Sequence, residues 1–248
     1  MWPVLAQEGR GSADRAEALR VRLEHADGRL HRRLRAAVQA GQGPALFRRW
    51  LEASPATPAG EGYDALDELV AGLLRLAEPG TGGPALEPGM VFYQPTPARH
   101  VLDMLARVRL APRDVLVDLG SGLGHVPMLA SLCTGARALG VEWQESHVTV
   151  ARAAARALRL ARVTFVAGDA RDADLSAGTV FFLYTPFVGA VLRQVLDALH
   201  AEGRRRPIRV CTFGPCSPLV AREAWLRADG PATADRVVVF QAVRQRSD

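Results

Sequence analysis

The stretch Arg113–Glu142, RDVLVDLGSGLGHVPMLASLCTGARALGVE, constrains this chain more than any other. Val115, Leu116 and Val117 form a continuous apolar run of the kind buried in a parallel sheet. Asp118 stands where that run ends. Gly120, Gly122 and Gly124 follow as a G-x-G-x-G turn with Ser121 inside it; glycine takes positive φ and leaves bare backbone for a ligand to approach. A helix over Val126–Cys133 presents unpaired N–H groups and a positive dipole end to the turn. Ala138–Val141 make the next strand, ending on Glu142 with Trp143 beside it. Two acids and a glycine turn at the carboxyl ends of adjacent strands form a crevice that binds nucleosides.

The acids choose the nucleoside. A dinucleotide fingerprint is G-x-G-x-x-G, with the pyrophosphate on the helix N-terminus. Here the third glycine comes one residue early, and His125 takes the place of the last glycine. Asp118, a carboxylate aimed into the turn, repels a pyrophosphate and suits an ammonium or sulfonium. Glu142 can accept two hydrogen bonds from a ribose diol, each worth roughly 1.5–3 kcal/mol with a charged acceptor.

The other elements follow in order. Leu19, Leu23, Ala26, Leu30, Leu34 and Val38 lie near helical spacing and predict a helix over 13–40, capped by Ser12 or Asp14. A shorter helix covers 45–54, a Pro/Gly loop 54–62, and a third helix 63–76 has Leu66, Leu69, Val70, Leu73 and Leu74 on one face. Phe47, Trp50 and Tyr63 read as core. A second loop over 79–89 marks a boundary: residues 1–85 are a helical N-terminal region serving as lid, substrate contact or dimer contact, and 86–248 the nucleoside-binding domain.

Tyr93–Pro97 is an extended segment feeding a helix, with Thr96 as N-cap and Pro97 at its first position. After Glu142 come a helix over 145–158 and a strand over 163–166, then Gly168 and Asp169. Asp169 is placed to accept from an adenine amino group, with Ala170 against the ring. A fourth strand over 180–183 ends at Tyr184, Thr185 and Phe187, the candidates for the acceptor side. A helix runs to Leu199, a fifth strand spans 207–213, and 225–228 with 236–243 form a closing hairpin. His100, His125, His147 and His200 are scattered, so no dedicated general base is expected.

Composition narrows the setting. All 31 basic residues are arginine, as in a GC-rich bacterial genome, which weakens the net charge of +5 as a sign of nucleic acid. Residues 1–60 hold ten arginines against six acids; that is a solvated helix face or a basic face for an acidic partner. No segment approaches the roughly 20 apolar residues of a membrane span, and the start lacks a signal-peptide pattern. Three cysteines make no disulfide framework and no metal site, which fits the cytoplasm.

Asp-x-Gly-x-Gly-x-Gly followed by a strand-end Glu resembles the class I S-adenosylmethionine-dependent methyltransferases. DLGSGLGHV, GVE, the late GD and the upstream FYQPTP are most similar to the non-SET histone-lysine methyltransferases (disruptor of telomeric silencing) and their bacterial relatives. The resemblance covers roughly residues 90–216. It implies an α/β fold: a Rossmann-like seven-stranded methyltransferase sheet with helices on both faces, preceded by the helical N-terminal region. It further implies S-adenosyl-L-methionine as cofactor, S-adenosyl-L-homocysteine as product, and no metal. Thr96 lies near the cofactor's methionine end, Asp118 and Gly120 at its amino group, Glu142 on the ribose and Asp169 on the adenine. Ser121, Gly122, Gly124, His125, Trp143, Ala170 and Tyr184 complete the cofactor set, and Tyr93 and Tyr184 stand on the acceptor side. Eukaryotic members carry paired asparagines where this chain has Tyr184 and Thr185.

The expected reaction is methyl transfer to an amine, a protein lysine. The alternatives are a small-molecule methyltransferase with the N-terminal helices as a lid, and a nucleoside-binding protein without turnover. No membrane partner is expected. Nor is nucleic acid, since the chain has no Asn/Asp-Pro-Pro-Tyr/Phe motif; a homodimer through the N-terminal helices is.

Overall fold

The alternation of apolar runs and helices closes into one seven-stranded sheet. A computed structural model describes residues 4–53, 62–80 and 85–243. β1 (Val115–Leu119), β2 (Arg137–Glu142), β3 (Val163–Ala167), β4 (Val180–Tyr184) and β5 (Arg209–Phe213) are parallel, and β6 (Leu226–Ala228) and β7 (Val238–Ala242) form the antiparallel hairpin. The strand order is β3-β2-β1-β4-β5-β7-β6. It reverses between β1 and β4, and in an open parallel sheet that switch point is where a crevice opens beyond the strand ends. The fold class expected from the sequence is thus the one observed.

Strand periodicity sends alternate side chains to opposite faces. Leu116 and Phe182 join one core cluster, whereas Val117 and Phe181 join the other. α4 (Ala98–Val108), α5 (His125–Thr134) and α6 (Glu145–Ala157) cover the first face; α7 (Gly189–Arg205) covers the second, and α8 (Ser217–Val220) follows β5. β1 runs two residues further than its apolar run suggests. Asp118 therefore lies inside the strand, opposite Gly140 and Phe182, and is buried.

The N-terminal region comprises α1 (Val4–Gln39), α2 (Gly43–Ala53) and α3 (Ala65–Leu74). α1 starts well before residue 13, so Ser12 and Asp14 lie within it rather than at its start. Gly9 and Gly11 lower helix propensity without removing a needed N–H. The expected Pro/Gly loop falls largely at 54–61, outside the described residues, as does the Trp50 side chain. Leu34, Val38, Phe47, Val70 and Leu73 are buried in the same cluster as α4 and α5. His31 of α1 sits against Gly72 of α3, where a Cβ would overlap its ring. Tyr63, expected in the core, is half exposed and donates to the Pro95 carbonyl at 2.8 Å.

Thr96 does not cap α4. The N-cap is Pro97, which has no side-chain hydrogen bond to give. Instead Asp67 of α3 reaches across: its Oδ1 accepts from the Ala98 N–H at 2.7 Å, and its Oδ2 from the Asp64 N–H at 2.8 Å. One carboxylate serves two helix starts, because a negative charge suits the positive ends of both dipoles. Caps are worth about 0.5–2 kcal/mol each. Asp67→Ala should therefore cost about 2 kcal/mol of stability, read as a fall in the urea midpoint, with Asp67→Asn recovering part of it.

Candidate active site

The crevice beyond β1, β2 and β4 has a volume of about 330 Å³, within the roughly 300–1,000 Å³ usual for small-molecule clefts. Its walls include Thr96, Asp118, Gly120, Ser121, His125, Glu142, Trp143, Asp169, Ala170 and Tyr184, with Tyr93 across from the glycine turn. Ten of the twelve residues expected around a cofactor are thus brought together, with Tyr93, Tyr184 and Phe187 of those expected on the acceptor side. Gly122 and Gly124 are off the wall. Their φ angles are 52° and 83°, and a Cβ at either would enter the ring of Tyr93 or Phe165 respectively. Gly120 is in the same position towards Pro186. The glycines make room for the protein's own side chains, a reason the G-x-G-x-G pattern does not disclose.

The three acids differ in their surroundings. Asp118 is buried, and no hydrogen bond reaches its carboxylate among the described residues; burial, and then the charge of Glu142, push its pKa well above the ordinary value. Glu142 has one N–H on each oxygen: Gly122 on Oε2 at 2.7 Å and Gln144 on Oε1 at 2.8 Å. A carboxylate oxygen accepts about two bonds, so each keeps one acceptor site. Asp169 takes the Arg171 N–H on Oδ1 at 2.8 Å and its guanidinium Nε on Oδ2 at 2.9 Å; that pairing holds its pKa below the usual range. Ser121 Oγ is buried with no partner among the described residues. A lone buried anion, a part-satisfied anion and an orphaned hydroxyl together fit a cationic ligand with a diol.

A strap over residues 85–96 covers the crevice. Trp143 Nε1 donates to the Ala85 carbonyl at 3.3 Å, Arg171 bonds Glu87 at 2.7 Å, and the Val91 N–H donates to Pro186 at 3.1 Å. Tyr93 ends the strap with its hydroxyl 3.1 Å from His125 Nδ1 and its ring 5.2 Å from that of His147. Burial lowers the His125 pKa to about 4 and raises that of Tyr93, so both are neutral near pH 7. The histidines are accordingly not all scattered: His125 and His147 flank Tyr93, while His100 packs on Phe213 and His200 on Trp225. Among the described residues none before Leu86 lines the crevice. Among the described residues its cover is the strap.

Thr185 is likewise not on the acceptor side. At φ 39° its Oγ1 donates to the Phe213 carbonyl and accepts from the Cys216 N–H, both at 3.1 Å, tying the end of β4 to the end of β5. Tyr184, Pro186 and Phe187 are left facing the crevice. Sequence reasoning missed Pro186, His147 and Arg171. Only Arg171 had a signal, its two-residue spacing from Asp169.

Gly122→Ala would displace Tyr93 and force alanine into the left-handed region, which costs roughly 1–2 kcal/mol by itself. A drop of tenfold or more in methyl transfer is expected, with Tyr93→Ala and Gly122→Ala non-additive when combined. Steady-state rates of the two single variants and the double variant check it.

A family model described as histone methylation protein DOT1 matches residues 91–178. Among similar solved structures is an RNA methyltransferase from Salinibacter ruber in complex with S-adenosyl-L-homocysteine. It is 30% identical, with a TM-score of 0.48 over 60% of this chain and 92% of that one. A precorrin-6y C5,15-methyltransferase from Geobacter metallireducens is 17% identical, with a TM-score of 0.48 over 64% of this chain and 95% of its own. A tRNA (uracil-54, C5)-methyltransferase from Pyrococcus abyssi, also with S-adenosyl-L-homocysteine, is 18% identical, with a TM-score of 0.46 over 61% and 40%. No curated protein matches.

With the strand order, the acid-lined crevice, the family-model match and the identity to the Salinibacter enzyme, the class is settled: this chain belongs to the class I S-adenosylmethionine-dependent methyltransferases. It is an enzyme, and S-adenosylmethionine is its cofactor. Among the described residues, no group of three His, Cys, Asp or Glu side chains could hold a metal ion. No helix there is long and apolar enough to cross a membrane.

Proposed function

We propose that the enzyme transfers methyl to a protein amine, a lysine side chain. The observation that carries this reading is the apolar and aromatic part of the crevice lining. Beside the acids, Met90, Tyr93, Tyr184, Pro186 and Phe187 line the same crevice. S-adenosylmethionine supplies, when bound, a methyl already activated on sulfonium, which leaves the protein to position the acceptor and exclude water.

An amine must arrive without its proton. An apolar slot disfavours the ammonium by desolvation, and ring faces hold a methylated ammonium product. No base is needed beyond that: the His125 imidazole is engaged with Tyr93 and too weakly basic to take a lysine proton. At the other end, Asp118 takes the ammonium of the cofactor's amino acid and Glu142 the ribose diol through its remaining acceptor sites. Asp169 takes the adenine amino group, and Ala170 packs on the ring. Thr96, Ser121 and Trp143 fill the wall between them. The family model's description as a histone methylation protein supports a protein acceptor.

The test is transfer from methyl-tritiated cofactor into a bacterial lysate, followed by acid hydrolysis of the protein fraction. Methyllysine in the hydrolysate is the expected result. Label confined to small molecules, or to RNA as for the Salinibacter RNA methyltransferase, overturns the reading.

A further inference from the structure

Residues 15–30 of α1 project from the molecule. Every described side chain from Arg15 to Leu30 except Gly28 is exposed, a length of roughly 24 Å at 1.5 Å per residue. It nevertheless carries an apolar seam: Leu19, Leu23, Ala26 and Leu30, spaced 4-3-4. Leu34 and Val38 continue that seam into the core at 8% and 5% exposure, whereas Leu19 and Leu23 are each 56% exposed and Leu30 44%. The stripe is satisfied at one end and bare at the other.

Charge defines what fits the bare end. Arg15, Arg22 and Arg29 recur every seven residues along one flank, and among the described residues none makes a hydrogen bond or ion pair. On the other flank Arg20 is tied to Glu17 and Glu24 of its own helix. A seam two apolar positions wide per heptad is the coiled-coil geometry, and flanking charges select the partner. A second copy fits less well, since antiparallel pairing sets the arginine flank against itself, and parallel pairing offsets its one favourable contact, Arg22 with Asp27, by setting Arg15 against Arg20. An anionic membrane fits poorly too, because the apolar face is narrow and Glu17, Glu24 and Asp27 share this stretch.

We propose that residues 15–30 of α1 are a docking surface for an amphipathic helix of a partner protein, one with an apolar seam flanked by acidic residues. The surface lies outside the crevice and is independent of the acceptor. The probes are two labelled four-heptad peptides with leucine at the seam positions, one with glutamate on both flanks and one with lysine, titrated by anisotropy against the full chain. The glutamate peptide should bind at micromolar concentration and the lysine peptide at least tenfold more weakly. R15E/R22E/R29E should reverse that preference and L19D/L23D abolish binding, with unchanged circular dichroism and S-adenosylhomocysteine affinity. The proposal is overturned by no binding or equal binding of the two peptides. A dimer in sedimentation that L19D/L23D dissolves, or a preference for phosphatidylserine vesicles, overturns it as well.

Discussion

Asp118→Asn is expected to stabilise the cofactor-free protein while weakening S-adenosylhomocysteine about ten- to a hundredfold, the worth of one charge-assisted hydrogen bond. The opposite signs share one cause. Asp118 is a buried carboxylate facing Glu142 with no bonded donor among the described residues, so its charge is a liability until a cation arrives. The pH dependence follows. With its folded pKa raised, the native state holds more protons than the unfolded chain once the pH passes the ordinary carboxylate value. Stability is then lost as pH climbs through the raised Asp118 value. Urea denaturation across that window should show the decline in the wild type and a flatter profile in Asp118→Asn. Saturating cofactor should also flatten the wild-type profile. Equal slopes in the two proteins would remove Asp118 as the cause.

Glu142→Ala carries the second large effect. It strips the bonds that hold the Gly122 and Gln144 N–H groups and also empties the position facing the ribose. A buried donor left unsatisfied costs about 1–3 kcal/mol, so stability should fall by about 2 kcal/mol or more. S-adenosylhomocysteine affinity should fall at least a hundredfold, since the turn and the ribose contact fail together. Glu142→Gln separates the two losses. Its one carbonyl oxygen still accepts from one N–H, and removing the charge beside Asp118 relieves that carboxylate. It should therefore be markedly more stable than Glu142→Ala yet bind the cofactor poorly. Calorimetric titration with denaturation of both variants decides; affinity within threefold of wild type in Glu142→Ala would contradict the role given to this residue.

Local pattern made much of this fold legible. Val115 to Val117, Val163 to Val166 and Val180 to Leu183 are apolar runs too short for helices, and each proved a parallel strand. Turn glycines and strand-end acids then placed Asp118, Glu142 and Asp169 on one edge. What could not be read depends on contacts distant in sequence. Asp67 caps α4 from 31 residues away, so Thr96 looked like the cap because only neighbours were in view. Gly122 looked ligand-facing because nothing in the sequence says that Tyr93 lies on it. Thr185 looked like an acceptor-side residue, yet its hydroxyl turns to the end of β5. The exposed stretch of α1, residues 15–30, is the converse case: its stripe is indistinguishable from a core stripe until the fold shows which end is covered.

The account rests on Asp118 reading positive charge at the amino-acid end of the ligand. The most direct measurement compares S-adenosylhomocysteine with methylthioadenosine, which keeps adenosine and sulfur and lacks the ammonium, by calorimetry on the wild type and on Asp118→Asn. The wild type should favour S-adenosylhomocysteine by about tenfold or more, and the variant should bind the two alike through losing only the first. An undiminished preference in Asp118→Asn would contradict it.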